Sequence, residues 1–265
     1  MSEKPEGQTP DPNQQAQEGA KGSPPQVAKK TAAAFDFGSA KAGDMQAFFM
    51  RYMPSFMEVL DPKAGDFAKR QLGIAAQLIA GNETIRKCTP ASIVGCLRQV
   101  VLSGLDLSIS EVCLVPRGGI CTYEIQAQGY RKMAYNTGKV STMNAYIVYE
   151  GEEFEYEIVN GIEKIRHKPQ LESYGGKILA AYSVAIMKDG GVISRILPLA
   201  EIEKFRAMGG MNNPAWKNNF PSMAITKAFK HLCKRLPLEF RERAALDYDE
   251  MPAPEIQDIP HEVID

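Results

Sequence analysis

Residues 222–236 read SMAITKAFKHLCKRL and form the most informative stretch of the chain. Its apolar side chains Ile225, Ala228, Phe229, Leu232, Cys233 and Leu236 fall at i, i+3, i+4, i+7, i+8 and i+11. At about 100° per residue they form a single stripe, so the segment is expected to be a helix with one face in a core. Lys227, Lys230, His231, Lys234 and Arg235 lie on the opposite face. Residues 211–237 carry five Lys or Arg, no acid, and the only tryptophan, Trp216. A charged helix face is most often simply solvated, but such faces usually mix signs. One without acids favours contact with a polyanion.

Upstream of this helix the sequence runs helices first, then strands, which is the order of an α+β fold. Met45, Phe48, Phe49, Phe56, Met57 and Leu60 have helical spacing with a break at Pro54, and Phe67, Ile74, Leu78 and Ile79 repeat the pattern up to Gly81. Thr89-Pro90 is an N-cap with proline at the first helical position, opening a stripe of Ile93, Val94, Leu97, Val100 and Val101 that stops at Gly104. Strands are expected over 112–115 and 120–126 around the turn Pro116-Arg117-Gly118-Gly119, then over 140–149, 153–159, 177–187 and 192–197, the last two joined by Asp189-Gly190-Gly191. Short helices are expected over 129–136 and 199–207. The resulting picture has N-terminal helices, a small antiparallel or mixed sheet of hairpins, and the basic amphipathic helix packed on that sheet.

Of 265 residues, 44% are hydrophobic and 24% charged, with 31 bases against 32 acids, a soluble globular profile. The near-neutral total hides a segregation. Residues 247–265 hold seven acids and no Lys or Arg, leaving 27 bases against 21 acids in 35–246. Residues 1–34 contain no Leu, Ile, Phe, Tyr or Trp. A segment so poor in apolar side chains cannot offset its ordering entropy, so a disordered leader over 1–34, a core over 35–246 and an acidic flexible tail over 247–265 are expected. No apolar run approaches the roughly 20 residues a bilayer span needs, and the N-terminus lacks the apolar stretch of an export signal, so an intracellular protein without a membrane segment is expected.

The chemistry open to the chain narrows next. Five cysteines without a Cys-x-x-Cys pair, and three histidines, give a zinc site little to draw on beside the alternative of buried thiols; Cys113 and Cys121 are placed to face each other across a hairpin. Neither Gly138-Lys139 nor Gly176-Lys177 is followed by Ser or Thr, so no phosphate-cradling loop is present, and the Gly-x-Ser-x-Gly and His-Glu-x-x-His signatures are missing. A magnesium nuclease using the carboxylates of 150–157 is a weaker alternative, because strand alternation spreads neighbouring acids over two faces. A structural component without nucleic-acid function is another. Binding without covalent catalysis and without a cofactor is the favoured reading. Segment 112–139 supplies a cationic and planar mixture suited to single strands: Arg117, Gln126, Gln128, Tyr130, Arg131, Lys132 and Lys139, with Glu124 the one acid. The competing reading is that Tyr130 and Tyr135 simply pack the sheet.

Several stretches in order resemble one family. NETIRKCTPASIVGCLRQVVLSGLDL (82–107), CLVPRGGICTYEIQAQGYRKMAYNTG (113–138), VYEGEEFEYE (148–157), AAYSVAIMKDGG (180–191) and NNPAWKNNFPSMAITKAFKHLCKRLPL (212–238) are similar to motifs of the RecT family of phage single-strand annealing proteins. The resemblance is collinear over about 45–240. It implies ATP-independent annealing in phage homologous recombination, by an oligomeric ring or filament coating single-stranded DNA and the annealed duplex intermediate. It also implies a partner 5′ to 3′ exonuclease, the host single-strand-binding protein, and a place in the bacterial cytoplasm. DNA contact would fall to Arg131, Trp216, Lys227, Lys230 and Lys234. Arg117, Gln128, Tyr130, Lys132 and Arg235 join them from the residue reading. Arg117 stands where the family often has Phe, and Thr226-Lys227 reverses the order found in many members.

Overall fold

A computed structural model describes residues 35–210 and 213–251; the expected leader and the tail from 252 onward lie outside them. The architecture is α+β. Helices α1 (Ala42–Met50), α2 (Met53–Met57), α3 (Gly65–Ala80), α4 (Glu83–Arg86) and α5 (Pro90–Ser103) precede the hairpin β1 (Val112–Arg117) and β2 (Ile120–Ile125). Then follow α6 (Ala127–Asn136), β3 (Val140–Tyr149), β4 (Glu153–Val159), β5 (Ile162–Lys168), β6 (Ile178–Met187) and β7 (Val192–Pro198). The chain closes with α7 (Leu199–Met208), α8 (Pro214–Asn218), α9 (Phe220–Cys233) and α10 (Phe240–Glu250).

Local chemistry explains the best-defined ends. The Thr89 side chain accepts a hydrogen bond from the Ser92 N–H, Pro90 occupies the first turn of α5, and Gly104 ends the helix at φ 69°. Arg117 pairs with Ile120, so the β1–β2 turn is Gly118-Gly119, both at positive φ, as a tight hairpin of this twist requires. The same register sets Cys113 opposite Glu124 and Cys121 opposite Pro116. The two thiols therefore do not face each other; instead the Cys96 thiol donates to the Cys121 carbonyl at 3.2 Å.

Every described strand pairing is antiparallel, and the main sheet has the order β3–β6–β7. The hairpin β4–β5 is inserted between β3 and β6 and pairs only within itself. Strand period decides what each face meets. Ile147, Tyr149, Ala181 and Leu197 bury against Ala224 and Ala228 of α9, whereas Val148, Ala180, Tyr182 and Ile196 meet Phe154 and Ile165 of the β4–β5 hairpin. The sheet is thus sandwiched between the basic helix and a hairpin flap. Beyond the sheet, Phe229, Leu232, Cys233 and Leu236 of the α9 segment enter the main core with α1, α3, α5, β2 and α6.

Helix α10 corrects the expected domain boundary. It runs on to Glu250, four residues into the segment read as a flexible tail, because Leu246 is buried in the core and Asp249 bonds to three other elements. Among the described residues no helix is long and apolar enough to cross a membrane.

Candidate nucleic-acid interface

Helix α6 is set down on the loop before β1 with almost no clearance. Gln126, at the junction of β2 and α6, donates its N–H to the Glu111 carbonyl at 3.0 Å. A Cβ at Gly129 would collide with that carbonyl oxygen and the Ile125 side chain, so only glycine fits. Tyr130 consequently points inward: it is fully buried, and its hydroxyl donates to Asp249 at 2.7 Å. Burial, and next the Asp249 charge, push its pKa well above the ordinary tyrosine value. Tyr130 is therefore packing rather than a base-stacking surface, a correction to the expected contact.

The outward side of α6 lines a cleft of about 530 Å³ formed by Ile109, Glu111, Gln128, Arg131, Lys132, Tyr135 and Asn136. Its charges are not equivalent. Lys132 reaches the Glu111 carboxylate at 2.7 Å and the Gly104 carbonyl at 3.0 Å, so it ties α6 to the preceding loop. Glu111 also accepts from the Asp106 N–H at 2.8 Å. With Glu111 matched by Lys132, Arg131 sets the sign of the cleft, and its buried Nε has no hydrogen-bond partner among the described residues. Gln128 is exposed beside it.

Helix α9 keeps the expected stripe, but its cationic face is not an open row. Lys230 is buried, with its ammonium 2.6 Å from Asp249, and Lys234 is 2.5 Å from Glu250. Arg235 lies 2.6 Å from Glu163 of β5 and also donates to the Ser194 carbonyl. The acids that answer these cations come from α10 and β5, which no reading of 211–237 by itself can include. Lys230 is accordingly a core ion pair and not a free phosphate contact. Lys227 is half-buried; burial, and then the Lys230 charge, lower its pKa. It is also close enough to Asp249, Glu124 and Arg117 to feel their charges, so Arg117 and Lys227 are brought into one neighbourhood.

Arg117 itself donates its Nε to Glu124 at 2.9 Å across the hairpin. Trp216 is buried against the sheet with Ile147, Leu197 and Ile202, its ring 5.5 Å from that of Phe220. It seats α8 on the sheet, which corrects its expected place at the DNA surface. The acids of β4 are likewise committed: Glu153 pairs with Lys168 and Arg166, Glu155 with Arg166 and Glu157 with Lys164. The Glu152 carboxylate is enclosed, accepting from the Tyr149 N–H at 2.7 Å, Ser173 Oγ at 2.6 Å and the Gln170 N–H at 3.1 Å, with His167 Nε2 at 3.1 Å. Burial opposes its ionisation, but these bonds outweigh burial and hold its pKa at about 2.

Of the residues expected at the site, Gln128, Arg131 and Lys132 come together in the cleft, Lys227 is half-buried, and Arg117 is paired with Glu124. Tyr130, Trp216 and Lys230 are interior, while Lys234 and Arg235 are surface cations with acid partners. Glu111, Ile109 and Asn136 carry no signal in the sequence; only the fold sets them along the cleft.

Comparison with known proteins bears on this arrangement. The model of the RecT family matches residues 68–264. Protein RecT of Escherichia coli (strain K12) is 29% identical over 195 residues, which cover 69% of this chain and 71% of that protein. Uncharacterized protein YqaK of Bacillus subtilis (strain 168) is 26% identical over 203 residues, covering 74% of this chain and 68% of its own.

Proposed function

The chain belongs to the RecT family, and on that premise we propose that it binds single-stranded DNA and anneals complementary strands in recombination without nucleotide hydrolysis. The observation that carries this reading is the cleft outside α6. There a glycine presses the helix onto its neighbour, Lys132 neutralises Glu111, and Arg131 is left as the cation that a phosphate would meet. Lys227, half-buried on α9, adds a second cation, while Arg117 on the β1–β2 hairpin is paired with Glu124. Assembly into a ring or filament, work beside a 5′ to 3′ exonuclease and the host single-strand-binding protein, and a cytoplasmic setting in the bacterial host complete the proposal.

Mixing two complementary oligonucleotides with the protein, free of nucleotide, and following duplex formation by fluorescence transfer tests it. Strand pairing should be faster than the spontaneous reaction, and Arg131→Glu should remove most of the acceleration while the melting temperature holds. Pairing that depends on ATP, or Arg131→Glu protein that anneals as well as the parent, would overturn the reading.

A further inference from the structure

We infer that the cleft beside α6 is a slot for one unstacked nucleobase, contacted there by Tyr135 and Ile109, with Arg131 lining the same cleft. This rests on the strand-binding proposal and adds to it a contact with the base.

Tyr135 is 39% exposed, yet its ring is not free to swing, because the Met143 N–H of β3 donates to its hydroxyl oxygen at 3.2 Å. Ile109, 61% exposed, lines the same cleft. Its loop is pinned: Asp106 accepts from the Ser108 N–H at 2.8 Å and Ser108 Oγ at 2.6 Å, and the Leu107 N–H donates to Gln71 at 2.9 Å. The next residue, Ser110, is held at φ 55°, a left-handed conformation that costs a non-glycine residue energy. A strained, tethered loop thus presents a β-branched apolar side chain to the same cleft as a tethered aromatic ring.

Polar groups that line the same cleft suit a base edge. Gln128 is exposed, and Asn136 donates its amide to Glu242 at 3.2 Å, which leaves its carbonyl oxygen available. A phosphate needs only the cation. An aromatic face, an apolar wall and amides together match the planar surface and hydrogen-bonding edge of a base turned out of a stack. A cleft of about 530 Å³ has room for it.

The test compares binding of the full chain to oligodeoxythymidylate and to a strand of equal length in which abasic sugars replace the nucleotides, by fluorescence anisotropy at one salt concentration. The parent protein should prefer the base-bearing strand. Ile109→Ser, an exposed change, and Tyr135→Leu should each lower affinity for that strand by roughly 5- to 30-fold, toward the abasic value, as loss of one stacked base implies. Tyr135→Phe, which keeps the ring, should retain the preference. A parent that binds both strands equally, or variants that discriminate as the parent does, would overturn the slot and leave strand binding standing. A parent that binds neither strand would overturn both. If Ile109→Ser alters the sedimentation of the assembly but not the discrimination, the cleft is a contact between copies and the inference fails.

Discussion

The Tyr130 hydroxyl donates to the Asp249 carboxylate at 2.7 Å, joining side chains 119 residues apart. The same carboxylate accepts from the Lys230 ammonium at 2.6 Å and from the Ile125 N–H at 2.8 Å. Strand β2 and helices α6, α9 and α10 therefore converge on one anion. The side chains of Lys230 and Asp249 are 11% and 5% exposed. At that depth the pair is costly to break, because each partner left alone is an uncompensated charge.

Asp249→Asn is expected to cost about 3–5 kcal/mol and Tyr130→Phe about 1 kcal/mol, measured by urea unfolding. The pair Lys230→Met with Asp249→Leu should lose much less than the two single changes added together. Strict additivity would mean that the two charges are not coupled in solution.

Truncation reads the same contact from the chain end. Removing 247–265 deletes Asp249 and Glu250, whereas removing 252–265 keeps both. We expect the longer deletion to melt well below the shorter one, by an amount close to the Asp249→Asn deficit. Equal melting curves would show that α10 contributes nothing beyond Leu246.

Why the sequence yields some of this and not the rest follows from where the information sits. The α5 cap at Thr89-Pro90 and its stop at Gly104 are written in adjacent residues and found as read. The turn expected over Pro116-Arg117-Gly118-Gly119 shortens to Gly118-Gly119, because Pro116 and Arg117 pair with Cys121 and Ile120 in the hairpin. The apolar stripe of α9 is local too. Its charge state is not, because Asp249, Glu250 and Glu163 are brought to it by folding. Strand β5 is not legible: its Lys164, Arg166, His167 and Lys168 look like a solvated loop until the β4 acids are set opposite. Trp216 looks like a base platform because a lone tryptophan in a basic stretch carries no local sign of which way it faces.

Acid should destabilise the fold in two steps. Burial, then the Lys234 and Arg195 charges, hold the pKa of His231 at about 4, below the 6.5 of a free imidazole. Between pH 6.5 and 4 the unfolded chain binds the extra proton, so stability falls as pH drops through that window. Glu152, ordinarily near 4.5 and here about 2, gives a second loss from pH 4.5 down to 2 by the same argument. Urea midpoints against pH should show His231→Gln flattening the first limb and Glu152→Gln the second, though the latter starts from lower stability. Variants whose profiles run parallel to the parent's would rule these groups out as the source.

The lone tryptophan offers a direct check on its burial. Emission should be blue-shifted and poorly quenched by acrylamide, and saturating single-stranded DNA should leave it nearly unchanged. Trp216→Ala is expected to cost about 3–5 kcal/mol as a large cavity. Strong quenching on adding a strand would return Trp216 to the DNA surface.

Salt separates cations that meet phosphates from those that hold the fold. Each neutralised phosphate on a single strand contributes roughly 0.7 to the slope of log affinity against log salt. Arg131, without an acid partner among the described residues, and Lys227, half-buried near Arg117, are the candidates for such contacts. Arg131→Ala and Lys227→Ala should each weaken binding and reduce the slope by about that amount, with unfolding changed by no more than about 1 kcal/mol. Lys230→Ala should do the opposite, melting early because Asp249 is left buried without its cation. Glu250→Ala releases Lys234 from its 2.5 Å ion pair, so it should tighten binding and steepen the slope. If Lys230→Ala melts like the parent yet flattens the slope, the α9 face carries the strand after all, and its ion pairs with α10 open when DNA arrives.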